Sequence, residues 1–193
     1  STMRYEERTM SMLTHTWTRD KDKIAGCPAV AVIDETPIII AGTTTGHIVA
    51  LDGTGTELWR KSIGADVAAW PVVDDVAGIG RCILAADHSG MVACITPDGE
   101  EVWRTQLEGG FTEYNSISVV HGGEIAFVAS SRRGVVTGLT VDGEIAWEFY
   151  THPEHHTRKV GTGTGPCAVG DVDGDGRDEI VFSAADGYLY CLD

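Results

Sequence analysis

Apolar residues fall in short runs separated by polar, glycine-bearing turns, and no long stretch keeps the three- and four-residue step of a helix. The longest runs, such as Pro37 to Ala41, have strand length. One stretch displays the unit clearly. Trp70 to Asp75, Arg81 to Ala86, Met91 to Thr96 and Glu101 to Gln106 read as four strands rich in Val, Ile, Ala and Cys. Asp87-His88-Ser89-Gly90 turns the second strand into the third, and Pro97-Asp98-Gly99-Glu100 turns the third into the fourth. Glycine supplies the positive φ of such hairpins without a steric penalty.

The unit repeats. Gly46, Gly90 and Gly134 stand 44 residues apart, and so do Trp59, Trp103 and Trp147, Gly55, Gly99 and Gly143, and Leu51, Ile95 and Leu139. Four columns in one register exclude coincidence, and the period lies in the range of propeller blades, about 40–50 residues. A large aromatic at one phase of each fourth strand is predicted to pack between blades. A fourth copy spans Gly165 to Val172, Glu179 to Ala184 and Gly187 to Leu192, without a fourth strand. Leu13 to Asp20, carrying Trp17, reads as a fourth strand without a blade. The predicted fold is therefore an all-β propeller with four four-stranded blades, at 24–64, 65–108, 109–150 and 165–193. Residues 13–20 complete the last blade within one chain, or two copies exchange that strand and close an eight-bladed ring with two-fold symmetry.

Leu51-Asp52-Gly53 ahead of Glu57-Leu58-Trp59, and Asp142-Gly143-Glu144-Ile145-Ala146-Trp147, resemble the PQQ-like propeller repeat over about residues 13–193. That superfamily includes quinoprotein dehydrogenases, assembly scaffolds and carbohydrate-active enzymes, so the resemblance implies the fold and leaves the activity open.

Composition narrows the partners. Among 193 residues, 29 acids face 14 bases, for a formal net charge of −15. Phosphate binding needs a basic field, so a nucleic-acid partner is excluded. No run of 18 apolar residues predicts a membrane span. Five cysteines cannot all pair, and Cys82, Cys94 and Cys191, inside apolar runs, are expected to be buried. Ser1-Thr2-Met3-Arg4 carries no signal-peptide pattern, whereas the resemblance to secreted propellers points to a secreted or periplasmic location.

The strongest chemical motif is Asp171-Val172-Asp173-Gly174-Asp175-Gly176-Arg177-Asp178-Glu179. Carboxylates at positions 1, 3 and 5 (Asp171, Asp173, Asp175), the backbone carbonyl of Arg177 and the carboxylate of Glu179 converge when Gly174 and Gly176 let the chain wrap. Hard oxygens in such a loop suit Ca²⁺. The motif resembles the calcium loops of FG-GAP and VCBS-type propeller repeats. Asp178 is expected to stand outside the ligand set.

The turns between second and third strands share a blade face with the links between blades. On that face the sequence places His88, Arg132 and Arg133, with Trp70, Tyr114 and Asn115 starting inner strands. The link from Thr151 to Gly165 adds His152, His155, His156, Arg158 and Lys159. Two functions follow. In the first, the face binds an acidic polysaccharide and cleaves it by β-elimination, like some propeller polysaccharide lyases. His88, Arg132, Arg133, Arg158, Lys159 and Trp70 would bind the substrate, with one cation neutralising the uronate. His155 or His156 would be the base, and Tyr114 or Tyr150 the acid. In the second, the propeller is a non-catalytic scaffold for a protein or glycan partner.

Overall fold

The computed structural model describes residues 16–33, 35–151 and 163–193, and the described residues contain strands and turns but no helix. Fifteen strands form four antiparallel sheets, each with its strands in chain order. The first sheet holds β1 (Ile24–Ile33), β2 (Thr36–Thr43), β3 (His47–Asp52) and β4 (Glu57–Ser62). The second holds β5 (Val67–Val76), β6 (Gly80–Asp87), β7 (Met91–Ile95) and β8 (Glu101–Gln106). The third holds β9 (Ile117–Val119), β10 (Phe127–Ser130), β11 (Val135–Leu139) and β12 (Ile145–Tyr150). The fourth is three-stranded, with β13 (Ala168–Gly170), β14 (Glu179–Ser183) and β15 (Leu189–Leu192).

Burial explains why the apolar runs look as they do. The middle strands β6, β7, β10 and β11 are buried on both faces, because one face meets the preceding blade and the other the following one. Ile83, Ala85, Ala93 and Ile95 join Ile38, Ile40 and Ile48 between the first and second blades. Their strand neighbours Cys82, Leu84, Val92 and Cys94 join Phe111, Phe127 and Leu139 between the second and third. Val128, Val136, Cys167, Ile180 and Phe182 fill the gap between the third and fourth. A two-sided strand must be apolar throughout, whereas the outer strands β4, β8 and β12 alternate exposed with half-buried residues.

The repeated tryptophans join the blades. The indole N–H of Trp59 donates to Pro97 O at 2.7 Å and that of Trp103 to Val141 O at 3.0 Å. Each ring lies over the next blade's turn glycine, Gly99 or Gly143, where even a methyl group would collide with it. Trp17 does the same one blade earlier, donating to Gly53 O at 3.1 Å and covering Gly55. It therefore acts as a fourth-strand tryptophan facing the first blade.

The expected completion of the fourth blade is not formed among the described residues. Among the described residues, 16–20 belong to no sheet and β15 pairs with β14, while Leu13 to His15 lie outside them. Cys191 also departs from expectation. It is exposed on β15, because the face it shares with Leu189, itself 75% exposed, meets no further blade among the described residues. Cys82 and Cys94 are buried as their runs imply.

Candidate functional site

Two places collect the chemistry-bearing residues. The first is an open groove of about 380 Å³ at the junction of the second and third blades, lined by His88, Ser89, Gln106, Glu108, Gly109, Gly110, Arg132 and Arg133. Its floor is built from turn chemistry. Asp87, wholly buried, receives the amides of Ser89 (2.8 Å) and Met91 (3.0 Å) and the Ser89 hydroxyl on one oxygen, and the Ala65 amide (2.7 Å) on the other. A carboxylate with four donors is held hard, and so is the turn bearing His88. His88 Nδ1 donates to Phe111 O at 2.9 Å, which leaves Nε2 as the acceptor of the neutral ring. In the next blade Ser131 replaces Asp87, and its hydroxyl receives the Val135 amide at 3.2 Å.

Arg132 and Arg133 rise from that turn. The Arg132 amide donates to Gly110 O at 3.2 Å and its Nε to Gly109 O at 2.8 Å, while Gly163 packs against its backbone from the far side. Gly109 and Gly110 have positive φ, +95° and +67°, and a side chain at Gly110 would strike His88 O. The glycine pair thus lets the second blade's exit approach the third blade's turn.

Charge pairing sets these two arginines apart. Arg19 and Arg60 share Asp22 and Glu57, Arg81 meets Asp75, Arg104 meets Glu101, and Arg177 meets Asp175 and Asp193. Hydrogen bonding from Arg81 and Arg104 holds Asp75 and Glu101 below the ordinary carboxylate range. Among the described residues Arg132 and Arg133 are the arginines with no carboxylate partner.

The remaining expected face residues separate from the groove. Trp70 is half-exposed and its indole edge lies against Gly26 of β1. Tyr114 is 71% exposed in the loop before β9, where Thr112 and Asn115 bond to each other. Asn115 is buried and donates to Thr164 O at 2.9 Å. The Tyr150 hydroxyl donates to Glu148 at 2.7 Å on the outer strand β12. His152, His155, His156, Arg158 and Lys159 lie outside the described residues. Sequence reading missed Asp87, Gln106 and the pair Gly109-Gly110. The double glycine and a buried-position Asp at the start of a turn were the available signals.

The second place is the acidic loop between β13 and β14. Gly174 and Gly176 sit at φ +86° and +93°, as the tight wrap requires. Asp171 receives the amides of Gly174 (2.6 Å) and Gly176 (3.0 Å), and Asp173 receives that of Asp175 (3.1 Å). One carboxylate oxygen each of Asp171, Asp173 and Glu179 lies within 4.8 Å of the others. Asp175 does not join them. Its side chain pairs with the Arg177 guanidinium at 2.8 Å, whose hydrogen bond pulls its pKa below the ordinary value. Asp178, expected outside the ligand set, reaches back to the third blade: its carboxylate receives the His121 amide at 2.8 Å, and its own amide donates to His121 O at 3.0 Å.

The family model described as outer membrane protein assembly factor BamB matches residues 44–193. The chain belongs to that family. No curated protein matches it in sequence. Among solved structures it is similar to BamB from Moraxella catarrhalis, with TM-score 0.63 and 18% identity over 91% of this chain and 48% of that one. It is similar to BBS1N in its complex with ARL6DN, with TM-score 0.61 and 17% identity over 91% of this chain and 53% of that one. The computationally designed Ika8 protein gives TM-score 0.58 and 17% identity over 88% and 45%. At such identities the likeness is one of fold, and the chain spans about half the length of these proteins.

Proposed function

We propose that this propeller is a non-catalytic scaffold whose groove between the second and third blades binds a carboxylate-bearing segment of a protein partner. The observation that carries the reading is the pair Arg132 and Arg133, which meet no carboxylate among the described residues, in a chain of net charge −15 whose other described arginines are all paired with acids. A guanidinium offers a planar fork to a carboxylate, and two on one rigid turn can take two acidic side chains or one acidic terminus. Family membership favours a protein partner over a sugar, and so does the likeness to BBS1N, a propeller solved in complex with ARL6DN. The family description also favours a place in assembly at the cell envelope.

The test uses a fluorescent pentapeptide, Ala-Glu-Leu-Asp-Ala, its amide twin Ala-Gln-Leu-Asn-Ala, and polygalacturonate. The scaffold reading expects the acidic peptide to bind at least tenfold more tightly than the amide twin, and R132A/R133A to remove that preference. Binding of polygalacturonate without the peptide would transfer the groove to a glycan. Appearance of an absorbing unsaturated product would overturn the non-catalytic reading.

A further inference from the structure

We infer that Asp171, Asp173 and Glu179 form a calcium site that locks the fourth blade onto the third. The acids alone would carry nothing, because exposed carboxylates often cluster in turns. The deciding feature is Glu179. It is 4% exposed at the start of β14; one oxygen receives the Val172 amide at 2.7 Å, and the other, Oε1, is buried with no hydrogen-bond partner among the described residues. A desolvated carboxylate oxygen without a donor is a costly thing to build, and a cation removes the cost. Glu179 shares the cluster with Asp171 and Asp173, whose ligand atoms lie within 4.8 Å of its own. Oxygens on one calcium ion bond at about 2.3–2.6 Å, so they stand up to about 5 Å apart across it. The all-oxygen donor set in a flexible loop suits calcium.

The loop's surroundings give the ion its consequence. Between the ligands Asp173 and Glu179, Asp178 exchanges two hydrogen bonds with His121 of the third blade. Gly122, at φ +81°, packs so closely on Gly176 O that a methyl group there would overlap it. An ion that fixes residues 171–179 fixes this contact as well. Asp175 stays with Arg177 and is not needed for the three-carboxylate core.

Calorimetric titration of chelator-treated protein with CaCl₂ tests the site, together with melting curves and hydrogen exchange at the His121 and Asp178 amides. One ion per chain is expected. A hundredfold excess over Kd should raise the melting temperature by about 5–10 °C. Both amides should become at least tenfold better protected, and Glu179→Gln should weaken binding at least tenfold. Should Glu179→Gln fail to fold, the exposed Asp173→Asn must show the same loss. Absence of binding at millimolar calcium, equal affinity for Mg²⁺, or unchanged affinity in the folded variants would each overturn the assignment. Binding without added protection at His121 would overturn the lock.

Discussion

Asp87 shows how one buried charge organises a surface. Its carboxylate gathers donors from Ala65, Ser89 and Met91, so the groove turn cannot relax without leaving buried amides unpaired. Asp87→Ala is expected to cost about 3 kcal/mol, seen as a lower urea midpoint at unchanged slope. The cysteines give a second residue-scale prediction. Cys27 and Cys191 are exposed, whereas Cys82, Cys94 and Cys167 are buried, and burial pushes the Cys167 thiol up to about 12. A thiol reagent at pH 8 should label two cysteines of the native chain quickly and the other three only on unfolding. The sequence showed His88 and the arginines through their turns, because turn residues repeat with the blades. It did not show that Arg132 and Arg133 lack acidic partners among the described residues, since pairing depends on which strands become neighbours.

At the scale of the element, the tryptophan clamp distinguishes one blade from another. Trp17, Trp59 and Trp103 each donate an indole N–H to the following blade's turn. Trp147 meets no such turn among the described residues; its ring lies over Gly138 of its own blade, beside a slot of about 290 Å³ that Asp193 helps to line. Trp103→Phe should therefore cost about 1 kcal/mol more than Trp147→Phe in paired denaturation curves. Ion pairs on the outer strands β4 and β8, between β5 and β6, and in the acidic loop set the acid limit. Asp75, Glu101 and Asp175 all have folded pKa values below their unfolded ones, chiefly through hydrogen bonds from arginine. Their contribution is present above the unfolded pKa and is lost as pH falls through the folded one. The melting temperature should be flat from pH 8 to about 5 and fall below about pH 4, less steeply in Arg81→Gln. Strand positions and the role of the tryptophans were legible because a 44-residue step recurs. The pairing of Asp175 with Arg177 was not, because a short acidic loop gives the same spacing to a ligand and to an ion-pair partner.

For the whole molecule, three inter-blade cores join four blades in an arc, and no core of that kind joins the fourth blade to the first among the described residues. Among the described residues β15 pairs with β14 and meets no further strand, beside the exposed Leu189. Edges of this kind recruit strands. Trp17 already sits on its own first blade as a tryptophan from a preceding blade would. Light scattering on this chain is expected to give twice 20.6 kDa at high concentration and the monomer mass in Leu189→Lys. A single species of 20.6 kDa at every concentration would refute closure by two copies. The repeat exposed the arc but not its ends, since strand pairing across a ring leaves no periodic trace.

The groove's claim to a carboxylate partner is tested most directly by exchanging the charges. The chain carrying Arg132→Glu and Arg133→Glu is titrated with Ala-Glu-Leu-Asp-Ala and with Ala-Lys-Leu-Lys-Ala, beside the unaltered chain. The account predicts that the unaltered chain prefers the acidic peptide by at least tenfold and that the exchanged chain prefers the basic one. The same peptide preference in both chains would contradict it.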